Sequence, residues 1–212
     1  MIQDAAVLHL LPEYFRSADE AAMAVARSID LDSATPLSGF IVFDAGLNNY
    51  RISRPVSDAQ AQAIKFNQKG QLNVDPSLKF RGSYCTSDKE GASKMVFETG
   101  ERALYSNFFA PTYLARMISQ DLIVRGSAGY WLAPNKAVLK FRSHADDEAD
   151  QLVSQAPNIL NELIDGTGSL VAYIQRVAQA GDLQVIQQSE FPGIWTTLGL
   201  VPIDWLPPVQ PN

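Results

Sequence analysis

The chain is short of several things at once. Its 212 residues include one cysteine and two histidines. A lone cysteine closes no internal disulfide, which excludes a disulfide-stapled secreted scaffold and fits a reducing compartment. No spaced Cys/His cluster of the structural-zinc kind is possible with so few ligands, and no metal or other cofactor is expected. Lysine and arginine number 17 against 23 acidic residues, for a net charge of -6 and a pI near 4.9. Such a chain has no general attraction for phosphate backbones, and no dense basic stripe interrupts it, so nucleic acid is not an expected partner. The opening MIQDAAVLHLLPEYF lacks the cationic start, long apolar stretch and small-residue cleavage site of a signal peptide. No later run approaches a membrane-spanning length. A cytoplasmic protein without membrane attachment is the expectation, and export by a signal-peptide-independent machine is compatible with it. A phosphate-binding glycine loop, a nucleophile elbow and a heptad seam are also missing.

What is present fits one substantial α+β domain with an extension, since 46% hydrophobic residues can fill a packed core. Ser17-Ala-Asp-Glu20 is a capping box, and an Ala-rich helix to about Ser28 follows it. GFIVFD from Gly39, the turn residues Ala45 to Asn49, and the alternating YRIS predict a hairpin. Residues 56 to 79 are polar and interrupted by Gly70 and Asp75-Pro76, which predicts a surface excursion with one short helix before the chain re-enters the core at KFRGSYCTSD. A polar stretch with a helical segment is expected between Asp88 and Asn107. Pro111 then opens a helix, PTYLARMISQDL. GYWLA and AVLKFRS read as strands joined by Pro134-Asn135. From His144 the character turns helical, and Pro157 is expected to kink or break the first of these helices. The second helix, SLVAYIQRVAQA, stops at Gly181 before a short strand, and the Pro/Trp-rich tail is expected to pack as a strap. The expected division is therefore residues 1–143 as the α+β domain and 144–212 as a helical extension.

Three short segments, residues 33–41, 82–87 and 109–114, resemble the JAB/MPN metallopeptidase superfamily, and in particular the bacterial JAB-like domains appended to Rhs-type polymorphic toxins. The resemblance implies a mixed sheet flanked by helices over roughly residues 15–142. It also implies a zinc site of two imidazoles and a carboxylate, leaving an open position for water and a distant glutamate as its base. Here the lead-in Gly82-Ser83-Tyr84 is kept, but the His-x-His positions are Cys85 and Ser87. The family's helix-opening serine falls on Ala110 and its aspartate ligand on Tyr113. The glutamate position falls near Pro36. Every chemical position of the resembled site is substituted.

For each residue singled out there is a plain alternative to a functional role. Cys85 is either a nucleophile in the proposed cleft, needing a nearby base, or a buried inert thiol, which is the simpler reading. His144 reads as a solvated loop residue. Asp146, Asp147, Glu148 and Asp150 read as an acidic first helical turn rather than a cation loop. Tyr113 either fills the vacated metal pocket or presents its hydroxyl to a partner, and with Tyr84 and Trp131 it completes the candidate binding set. Trp195 and Trp205 read as packing residues of the tail. The expected function is a catalytically inactive JAB-like protein-binding module, serving as an immunity or accessory protein of a bacterial toxin or secretion system, whose acidic surface favours a basic partner. The alternative is a hydrolase or transferase using Cys85.

Overall fold

The computed structural model describes residues 8–31, 35–64, 66–67, 69–72, 75–87, 105 and 107–187. The Pro/Trp-rich tail and most of the stretch from Asp88 to Asn107 lie outside them. The first helix, α1 (Ala18–Ser28), starts where the capping box places it: the Ser17 hydroxyl accepts from the Glu20 amide at 3.1 Å, and Glu20 accepts from the Arg16 amide at 2.9 Å. Strands β1 (Leu37–Asp44) and β2 (Asn49–Ile52) form the expected hairpin. Its turn closes on Asp44 Oδ1, which accepts from the amides of Gly46 and Leu47, while Asn48 takes a left-handed φ of 54°.

The excursion that follows holds β3 (Val56–Ser57), α2 (Asp58–Ala63) and β4 (Gln71–Leu72), with a second capping box at Ser57 and Gln60. Strand β5 (Asp75–Thr86) then runs through the middle of the molecule. Helix α3 (Pro111–Ile123) begins on its proline, and β6 (Ala128–Leu132) and β7 (Val138–Ser143) follow. Helices α4 (Asp147–Asp165) and α5 (Leu170–Ala180) lead into β8 (Gly181–Gln187). Six strands run in the order β2-β1-β5-β6-β7-β8, with β3 and β4 paired at the margins of β1 and β5. All described pairings are antiparallel except β5 with β6. The fold class is α+β, as the order of elements in the sequence predicts.

Alternation along the strands divides the core between the two faces. Tyr84, Tyr130 and Val138 face α1, where they meet Ala21, Ala22, Val25 and Ala26. Their neighbours Cys85, Trp131 and Leu139 face the opposite way, into a cluster built with α3, α4 and α5. Helix α1 is further anchored by Asp19, which accepts from the Tyr130 hydroxyl at 2.7 Å and pairs with Lys140 at 2.8 Å.

The described part of the 144–212 extension shares the sheet and core of the residues before it: β8 pairs with β7 along the strand, and Leu163, Tyr173, Val177 and Val185 belong to the same core as Cys85 and Trp131. Pro157 does not break its helix, because it lies on the exposed face of an uninterrupted α4. Among the described residues no helix is long and apolar enough to cross a membrane.

Candidate functional site

A cavity of about 640 Å³ opens where the carboxyl end of β5, the excursion around α2, and α3 meet. Its walls include Pro36, Cys85, Ala110 and Tyr113, so four of the five positions that the resemblance implies for a metal site come together at one place. Ser87, the fifth, is buried but does not line the cavity. Trp131 contributes to the wall from the strand beside β5.

Strand pairing explains how Cys85 reaches this site. Gly39 of β1 sits opposite Tyr84 of β5, and the tyrosine ring lies across the glycine. A methyl group at Gly39 would come within 2.3 Å of the ring's Cζ and Oη, so only glycine leaves the ring its place. With Tyr84 committed to the α1 face, Cys85 must point into the cavity. Tyr84 does not line the cavity: it is fully buried, and its hydroxyl donates to the Ser53 carbonyl at 2.8 Å. Burial pushes its phenol pKa far above the ordinary value.

Tyr113 fills space. Its ring stacks on Phe109 with planes 5° apart and meets Trp131 at 5.7 Å between centroids. Its hydroxyl turns toward the sheet, donating to the Tyr130 carbonyl at 3.3 Å and lying 3.4 Å from Ser83 Oγ. The ring is thus the residue's contribution to the cavity wall. The Cys85 sulfur accepts from the Ser38 hydroxyl at 3.4 Å and donates to the Thr86 carbonyl at 3.3 Å.

Several lining residues carry no motif and were not singled out from the sequence. Thr112, Arg116, Ser119, Gln120 and Ile123 join Tyr113 on one face of α3 at spacings of three and four, while Leu114, Met117 and Ile118 pack inward. That helical stripe was the available signal. The Arg116 guanidinium sits 5.1 Å from the centre of the Tyr113 ring and donates to Ser38 Oγ at 3.3 Å. Two buried polar atoms on lining residues have no hydrogen-bond partner: Trp131 Nε1 and Gln120 Oε1.

The zinc that the JAB/MPN resemblance implies does not fit this donor set. One thiol, a proline, an alanine and an inward-bonded tyrosine supply a single good ligand where three are required. Among the described residues no group of three His, Cys, Asp or Glu side chains is placed to hold a metal ion. Neither histidine lines the cavity; His9 is exposed, and His144 lies beside Asp182 at the start of β8, with Nε2 3.0 Å from its carboxylate. That contact, more than any other, raises the His144 pKa. The acidic residues after it begin α4, with the Asp146 carboxylate capping the Ala149 amide.

No protein-family model, no curated protein and no solved structure matches this chain.

Proposed function

We propose that this chain is a non-catalytic recognition domain on a JAB-like scaffold, in which the former metal cleft has become an apolar pocket for a segment of another protein. The observation that carries this reading is the convergence of Pro36, Cys85, Ala110 and Tyr113 on one cavity whose donor set does not fit zinc. A cavity of about 640 Å³ falls within the roughly 300–1,000 Å³ of pockets that hold ligands, and its mix of aromatic walls and few polar groups is theirs as well. An immunity or accessory role in a bacterial toxin or secretion system follows from the resemblance, and the net charge of -6 favours a basic partner.

Equilibration of the full chain with zinc, followed by gel filtration and elemental analysis, tests the reading. Less than a tenth of an equivalent retained is expected, on the order of adventitious loading. Stoichiometric retention would overturn it.

A second reading is favoured by the position of the Cys85 sulfur at the cavity wall: a cysteine-dependent hydrolase or transferase. Alkylation with iodoacetamide across pH separates the two. An activated thiol reacts faster than an ordinary cysteine at neutral pH, whereas a packed one reacts more slowly.

A further inference from the structure

We draw no further inference here: the strongest candidate, the cavity where the carboxyl end of β5 meets α2 and α3, belongs to the site already described, and nothing in the structure shows what covers it.

Discussion

Replacing Gly39 by alanine tests the packing that aims Cys85 into the cavity. The new methyl would lie 2.3 Å from Cζ and Oη of Tyr84 and 2.5 Å from Cε1, against roughly 3.5 Å for a relaxed carbon contact. The far end of the ring must retreat by about 1.2 Å, the difference between those distances. It is wedged between β1 and α1, and its hydroxyl is tied to the Ser53 carbonyl at 2.8 Å. Overpacking in a tight core costs about 1–3 kcal/mol, and stretching the buried hydrogen bond adds about 1 kcal/mol, so Gly39→Ala should destabilise by about 3 kcal/mol. Tyr84→Leu removes all three crowding atoms and on its own should cost about 3 kcal/mol. In that background the alanine methyl enters vacated space and should cost less than about 1 kcal/mol. Urea unfolding of the four proteins, followed by far-UV circular dichroism at constant slope, measures the coupling. A Gly39→Ala penalty below about 0.5 kcal/mol, or the same penalty in both backgrounds, refutes the argument.

Other perturbations probe the frame around the site. Asp19→Asn leaves Lys140 without its carboxylate and weakens the Tyr130 bond, and should cost about 1–2 kcal/mol in the same urea assay, with α1 losing amide-exchange protection first. Pro157→Ala restores an amide inside α4 at an exposed position and should raise stability by about 1–3 kcal/mol, measured as an upward shift in Tm. The His144 pKa is raised in the folded state by its bond to Asp182, so the stabilisation is complete below the unfolded value near 6.5 and is lost as pH rises through the folded value. Because the pair is exposed and screened, the drop should be no more than about 0.5 kcal/mol, and His144→Gln should abolish it in melts compared on the two sides of that transition.

Local chemistry made much of the fold legible. Ser17 with Glu20, Asp44 with Asn48, and Pro111 act on neighbours within a few residues, so their signals survive in the bare chain. Pro36, Cys85, Ala110 and Tyr113 are named from the order of three short segments, and all four line one cavity. What stayed hidden depends on distant pairing. Tyr84 and Cys85 are adjacent in the chain and equal candidates as letters, and only the register against Gly39 sends one to the core and the other to the cavity. Arg116 and Gln120 carry no motif, and they matter because α3 turns that stripe toward α2 and β5. The strand β8 looked like the end of an extension because its partner β7 lies some forty residues earlier along the chain, a pairing with no local signature.

The anchoring of α1 also bears on how the protein is made. Asp19 reaches Tyr130 and Lys140, partners 111 and 121 residues further along the chain. At roughly 5–20 residues per second, a ribosome needs on the order of 6–24 s to supply Lys140 after Asp19. Throughout that interval the described residues that α1 can lean on are those of the β1–β2 hairpin and the first long strand, with the part of its alanine-rich stripe meant for Tyr130, Leu132 and Val138 awaiting those partners. Helix α1 is thus made well before the partners that secure it, and a nascent chain of this protein passes through a stage in which a chaperone has a defined apolar surface to hold.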